Sequence, residues 1–334
     1  MLLVIFGAGA SYGSADGPEE LRPPLADQLL DYPEVARKYR GSSVVVDYVR
    51  RRMAERSLLL EDALAEFGAR AKQATTSQQH LVAFRFYLCD VIASAADQWL
   101  DTTSGQTRYL SLLNYLAEWQ EESNEPIALV TFNYDTLLDD ALSEQFPEWV
   151  RGDFKSYIEH RQWSLLKLHG SVTWSRLAES ERWQDETNYQ RAIHEASGFA
   201  RSDLRFELHS ALAGGWDAES VAAPALAVPM TGKTDFECPP DHVETLIRSI
   251  PEVKRVLICG WRASEEHMLE VLSGLYPGYF LGVVAQGQND VEEVHERLDA
   301  DGRKGVSKLD QPGGMEALVG NLGQDLQHLL GPWR

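Results

Sequence analysis

Apolar residues run unbroken from Leu2 to Phe6, with Val4 and Ile5 among them, and such a run predicts a strand covered on both faces of a parallel sheet. Similar short runs recur at Ala128–Thr131, Trp163–Leu168, Ala225–Met230, Val256–Cys259 and Tyr279–Ala285. Between the first and second of these the pattern changes period. Leu58, Leu59, Leu60, Ala63, Leu64 and Phe67 fit one amphipathic helix, Leu81, Phe84, Leu88 and Ile92 a second, and Leu112, Leu113, Leu116 and Trp119 a third. Helical spacing resumes after Asp135 through Leu137, Leu138, Ala141 and Leu142, and again at Met268, Leu269 and Leu272. The charged stretch from Ser175 to Gly215 also reads as helix. Gly17-Pro18, Pro23-Pro24, Pro239-Pro240 and Gly313-Gly314 punctuate the chain as loops.

Strands alternating with helices predict an α/β protein with a doubly wound, mainly parallel Rossmann-like sheet and a helical insertion. A chain of 334 residues suits one large α/β unit with insertions, or two closely joined units, and the single domain is the expectation. Its core is expected over about 1–32, 125–175 and 222–334, with helical insertions over about 33–124 and 176–221.

Composition narrows the function classes. The 51 acidic against 31 basic residues give a formal charge of -20, a surface that repels phosphate backbones and argues against direct nucleic-acid binding. Arg50-Arg51-Arg52 is the one basic run, and it reads as a solvated helix face. Cys89, Cys238 and Cys259 lie far apart; their spacing supports neither a zinc module nor a disulfide framework, so no metal is expected. No apolar stretch approaches the roughly 20 residues that cross a bilayer. The start lacks the positive flank and cleavage site of a secretory leader, so a cytoplasmic protein without a membrane partner is expected.

The candidate chemistry sits where strands end. The run Ala128–Thr131 gives way to Phe132-Asn133-Tyr134-Asp135 just before a helix, and the carboxyl edge of an open parallel sheet is where ligands bind. The run Trp163–Leu168 ends in His169-Gly170-Ser171. Gly7-Ala8-Gly9-Ala10-Ser11 follows the first strand directly, as a turn that brings backbone close to a pyrophosphate. Gly260 and Ser264 form a further Gly-to-Ser turn after Val256–Cys259. A blander reading also holds for one pair: Asn133 and Asp135 are residue types that cap helices, although one cap does not need both.

Gly7-Ala8-Gly9-Ala10-Ser11, Thr131-Phe132-Asn133-Tyr134-Asp135 and Leu168-His169-Gly170-Ser171, three motifs in this order along the chain, resemble the sirtuin superfamily, and more closely the zinc-less sirtuin-like domains of bacterial anti-phage defence proteins. The resemblance runs from Met1 to roughly Gln286 and is supported by Pro229 and by Leu257-Ile258-Cys259-Gly260-Trp261. It implies NAD+ as substrate. It places Gly7, Ala8, Gly9, Ala10, Ser11, Thr131, Asn133, Gly260 and Ser264 at the dinucleotide, with Asn133, Asp135 and His169 as the catalytic set. His169 would contact the ribose hydroxyls and act as base, a task that suits imidazole with its unperturbed pKa of about 6.5. Two departures bear on substrate. The four-cysteine zinc module of protein-deacylating sirtuins is absent, and Leu21-Arg22-Pro23-Pro24-Leu25 stands where their Asp-Phe-Arg element lies.

The expected activity is therefore an NAD+ glycohydrolase, the NAD-depleting toxic effector of an abortive-infection defence system. Its control is expected from homo-oligomerisation or from a partner protein such as an ATPase or an Argonaute-type sensor. A non-catalytic NAD or ADP-ribose binding module is the alternative, and a protein deacylase a weaker one. A conventional dehydrogenase fits worst, because a helical insertion begins where the ribose-binding acid, about 20 residues past the glycines, should lie.

Overall fold

The computed structural model of the chain describes residues 1–149, 153–160, 162–180, 186–201, 203–216, 219–232, 236–299 and 305–331. In chain order its strands are β1 (Leu2–Phe6), β2 (Ile127–Thr131), β3 (Trp163–Lys167), β4 (Gly170–Glu179), β5 (Phe206–Glu207), β6 (Ser220–Leu226), β7 (Arg255–Cys259), β8 (Phe280–Ala285) and β9 (Val306–Pro312). The chain forms two compact units. The first comprises Met1–Pro23, Ala96–Leu168 and Thr234–Arg334, and the second Pro24–Ala95 and His169–Lys233.

The first unit is built on a six-stranded, wholly parallel sheet in the order β3-β2-β1-β7-β8-β9. This is the α/β Rossmann-like architecture that the alternating apolar runs predict. All five residues of β1 are fully buried, which explains why its sequence is continuously apolar rather than alternating. Burying side chains of this size is worth roughly 1.5–3 kcal/mol each. The register aligns Phe6 with Thr131 on one side and with Cys259 on the other, and Thr131 with Lys167. Four carboxyl ends are thus level. From β1 the chain winds outward through β2 and β3, then resumes on the opposite flank with β7, β8 and β9. That reversal puts the topological switch point between β1 and β7, the place where open α/β sheets leave a crevice for ligands.

β9 was not expected from the pattern. It is an edge strand whose residues are mostly exposed, and Lys308, Asp310 and Pro312 occupy it. These are residue types that guard sheet edges against further pairing, and they leave no apolar signature to read.

The second unit holds the helices Pro33–Lys38, Ser42–Arg56, Leu60–Ala71 and Asn188–His194, together with a three-stranded antiparallel sheet in the order β5-β4-β6. Leu60, Ala63, Leu64, Phe67 and Ala71 are the buried stripe of their helix, as the spacing predicts. The helix Thr75–Thr103 begins in this unit and ends in the first. Two expectations differ here. The start of the stretch read as helix, Ser175 to Glu179, is the end of β4, because Arg176 and Leu177 pair with Ala223 and Ala222 of β6. The apolar run expected as a core strand at Ala225–Met230 instead ends β6 at Leu226, in the antiparallel sheet. An apolar run announces burial but not which sheet it joins.

Candidate functional site

On the β2 side of the switch point, polar side chains tie the turn after β1 to the loop after β2. Thr131 Oγ1 accepts the Asn133 backbone N–H at 3.0 Å, which bends the chain as soon as β2 ends. Asn133 then turns its amide inward: Nδ2 donates to the Gly7 carbonyl at 2.9 Å and to Ser11 Oγ at 2.9 Å, with the Tyr109 hydroxyl at 3.3 Å. Ser11 Oγ donates to Asp135 Oδ2 at 2.8 Å. A serine has one proton to give, so the 3.0 Å contact between Tyr109 and Ser11 runs from the phenol to the serine. The result is a directed chain, Tyr109 to Ser11 to Asp135. The other carboxylate oxygen, Oδ1, accepts the Leu137 backbone N–H at 3.1 Å, at the start of helix Leu137–Gln145. Asp135 therefore both caps that helix and holds the glycine turn, while Asn133 caps nothing among these bonds.

Ser11, Tyr109, Asn133 and Asp135 are all buried. Burial pushes the Asp135 carboxyl up from its ordinary value, with the Lys167 ammonium and the Ser11 hydroxyl pulling against it. Burial likewise holds the Tyr109 phenol well above its usual range, with the Asp135 charge adding to the effect. Beneath the loop, Lys167 Nζ donates to the Asp135 carbonyl and to Asp139 Oδ2, each at 2.6 Å, and the Tyr157 hydroxyl donates to Asp139 Oδ1 at 2.9 Å.

On the β7 side the contact is backbone to backbone. The Gly7 N–H donates to the Cys259 carbonyl at 3.0 Å and the Gly9 N–H to the Gly260 carbonyl at 3.1 Å. A Cβ on Gly7 would lie 2.5 Å from the Gly260 oxygen, and one on Gly260, whose φ is +61°, would lie 2.3 Å from the Ala10 nitrogen. These glycines are required by the approach of two protein loops. The Phe132 and Trp261 rings stack with centroids 5.3 Å apart, which bridges the loops after β2 and β7. Trp261 Nε1 and Ser264 Oγ both donate to Glu265 Oε2.

Of the residues singled out in the sequence, Gly7, Ser11, Asn133 and Asp135 are brought into one hydrogen-bonded cluster. Thr131 lies at its base with a buried hydroxyl, and Ala10 is buried in the helix Ala8–Tyr12. Ala8 and Gly9 are exposed on the outer side of that turn. Gly260 contacts the turn, and Ser264 is exposed beyond it. Arg22 stacks its guanidinium over the Tyr12 ring at 5.1 Å. His169 is buried and opens the second unit, one peptide bond past Leu168, the last residue of the first. Its carbonyl accepts the Ala227 N–H at 2.9 Å, and Gly170 turns the chain with φ +84° where a Cβ would lie 1.9 Å from the Ala225 oxygen.

Tyr109, Lys167, Asp139 and Tyr157 were missed. Lys167 is the one charged residue in an apolar strand, and Asp139 interrupts the apolar stripe of Leu137, Leu138, Ala141 and Leu142; those interruptions were the available signals. Among the described residues no group of three or more His, Cys, Asp or Glu side chains is arranged to hold a metal ion, and no helix is long and apolar enough to cross a membrane.

Comparison with known proteins places the central part of the chain. Residues 127–277 match the SIR2-like domain family. That segment contains Asn133, Asp135, His169, Gly260 and Ser264. Solved structures of similar architecture include one concerned with the mechanism and regulation of Sir2 enzymes, at 11% identity and TM-score 0.41, covering 98% of this chain and 91% of that one. Another is a Sir2 homologue mutant in complex with 2'-O-acetyl ADP-ribose, at 14% identity and TM-score 0.41, covering 99% and 93%. No curated protein sequence matches the chain.

Proposed function

We propose that this chain is an NAD+ glycohydrolase that cleaves NAD+ with water to nicotinamide, ADP-ribose and a proton, and that it serves as the NAD-depleting effector of an anti-phage defence system. The observation that supports this best is the buried cluster in which Ser11 of the glycine turn, Asn133 and Asp135 are hydrogen-bonded beside the switch point. A packing device alone would not gather a carboxylate, an amide and a hydroxyl there at the cost of burying them. The SIR2-like match over residues 127–277 supports the choice of NAD+.

The chemistry asks little acid catalysis of the protein, because nicotinamide leaves NAD+ as a neutral molecule. Breaking the glycosidic bond develops positive charge on the ribose, so preorganised negative charge is what accelerates it. Asp135 supplies that charge from a fixed orientation, since Ser11 and the Leu137 N–H each hold one of its oxygens. Lys167 meets Asp135 at the backbone carbonyl and forms its ion pair with the Asp139 carboxylate, so the ammonium beneath the loop does not cancel the Asp135 charge above it. Asn133 orients the carboxamide or the water, and His169 polarises the ribose hydroxyl or takes the proton of the attacking water. The turn from Gly7 to Ser11, with Thr131, Gly260 and Ser264, completes the dinucleotide site. Self-assembly or a partner protein, such as an ATPase or Argonaute-type sensor, holds the enzyme idle until infection.

The test incubates wild-type protein and His169→Ala with NAD+, each alone and in cell lysate, and separates the products by chromatography while calorimetry measures NAD+ binding. The proposal expects ADP-ribose and nicotinamide from the wild type, and from the variant at least a hundredfold less product with little change in affinity. NAD+ binding by both proteins with turnover by neither, in any condition, would make the chain a binding module instead.

A further inference from the structure

The pair Lys167–Asp139 is buried to the point that its side chains are 1% and 0% exposed, in a strand whose other residues are Trp163, Ser164, Leu165 and Leu166. Taking two charges out of water costs several kcal/mol per ion even after relaxation, and apolar residues of similar volume often hold a fold as well or better. Stability is therefore a poor reason for the pair. What apolar residues cannot do is hold a backbone carbonyl, and Lys167 holds one: the oxygen of Asp135, at 2.6 Å.

We propose that Lys167 is a positioning residue that fixes the Asn133–Asp135 loop through the Asp135 carbonyl, with Asp139 and Tyr157 as its anchors. Three elements supply this tether, and Lys167 is the member that touches the carbonyl oxygen. β3 brings Lys167, the helix Leu137–Gln145 brings Asp139, and the helix Phe154–Ile158 brings Tyr157, whose hydroxyl occupies the carboxylate oxygen that Lys167 does not. The ammonium is held on one side by Asp139, so its remaining donors are aimed rather than free to sample rotamers.

The loop itself shows why such a tether matters. Asp135 is gripped at its carboxylate by Ser11 and Leu137 and at its carbonyl by Lys167. With both ends held, the carboxylate cannot swing without breaking a charge-assisted hydrogen bond. Asn133, two residues earlier, is set by Thr131 at its backbone. Released at the Lys167 end, the loop would keep its contacts to Ser11 but lose the constraint on the peptide between Asp135 and Thr136. Misplacement of a reacting group by about 1 Å costs on the order of a hundredfold in rate. The catalytic half of this inference rests on the hydrolase reading above; the structural half does not.

Lys167→Met alone strands a buried carboxylate and can prevent folding, so the informative protein is the triple variant Lys167→Met, Asp139→Leu, Tyr157→Phe, which removes every polar atom of the device together. Hydrogen exchange by NMR, read at the Asn133 and Leu137 amides, which donate to Thr131 Oγ1 and Asp135 Oδ1, tests the tether without reference to activity. At least a tenfold faster exchange at those amides, with the amides of β1 and β2 unchanged, is the expected result; equal protection in wild type and triple variant overturns the proposal. If wild type turns over NAD+, kcat should fall about a hundredfold in the triple variant while KM stays within about threefold, and an unchanged kcat overturns the catalytic half. If the wild type proves inactive, the hydrolase reading fails and the exchange result alone decides. A triple variant that does not fold makes the device structural rather than positioning and also overturns it.

Discussion

The two flanks of β1 solve the same problem by opposite means. Toward β2, the loops are joined by side chains: Asn133, Asp135, Ser11 and Tyr109 exchange hydrogen bonds in a buried cluster. Toward β7, side chains are removed, and Gly7, Gly9 and Gly260 let main chain lie against main chain. The polar flank costs desolvation and supplies directed charge. The glycine flank costs chain entropy and supplies only proximity. The proposed site would use both, held groups from the first flank and close approach of main chain from the second.

The difference is open to test, and the largest effect belongs to the glycine flank. Gly260→Ala puts a Cβ 2.3 Å from the Ala10 nitrogen and 2.5 Å from the Gly9 carbonyl carbon, at a φ of +61°. Backbone cannot yield as a flexible side chain does, so thermal unfolding should report a loss on the order of 4 kcal/mol. A loss under about 1 kcal/mol would mean that the two loops do not touch in solution.

On the polar flank, Asn133→Asp should cost more than Asn133→Ala. Either change leaves the Gly7 carbonyl without its Nδ2 donor, at about 1–3 kcal/mol for a buried acceptor, but the aspartate also places a second carboxylate beside Asp135. Equal losses in chemical denaturation would mean that Asp135 does not act on position 133 as a charged neighbour.

Asp135→Asn sharpens the point through pH. Burial raises the folded carboxyl above its ordinary value, so the unfolded chain loses its proton first as pH rises. The stability that residue contributes is present below the unfolded pKa, near 3.9, and is lost as pH climbs through the raised folded value. Asparagine does not titrate. The variant should therefore gain on the wild type as pH rises through that window and track it in parallel above, and under the proposed hydrolase reading it should show no NAD+ turnover at any pH. Denaturant midpoints measured from pH 4 upward check the sign, and a variant that loses ground with rising pH contradicts it.

Tyr109→Phe is the smallest effect expected. It removes the phenol that donates to Ser11 and should cost about 1 kcal/mol, leaving Ser11 and Asp135 bonded. A much larger loss by calorimetric unfolding would show that the phenol, rather than the serine, organises the cluster.

How much of this was legible is itself a matter of burial. β1, β2, β3, β7 and β8 are mostly buried and dominated by apolar residues and so announce themselves, as do the polar residues that end β2 and the glycines that follow β1. The edge strand β9 is mostly exposed and has no such signature. The end of β4 reads as charged because Arg176 and Glu179 fall among Ser175, Leu177 and Ala178 without a period-2 pattern, and only its pairing with β6 declares it a strand. The support beneath the site was the least legible part, since Lys167 at a strand end looks solvated until helix Leu137–Gln145 covers it with Asp139.

The sequence by itself determined the class of fold, five of the six strands of the central sheet and the candidate residues Ser11, Asn133, Asp135 and His169, because these depend on local burial patterns and on residue types at strand ends. The tertiary structure alone decided that Ser11, 124 positions away, is the hydrogen-bond donor to Asp135, that Gly260 is the reason for Gly7, and that Lys167 reaches a carbonyl rather than water. Partnership between residues far apart in the chain is set by strand order and register, and no local pattern encodes those.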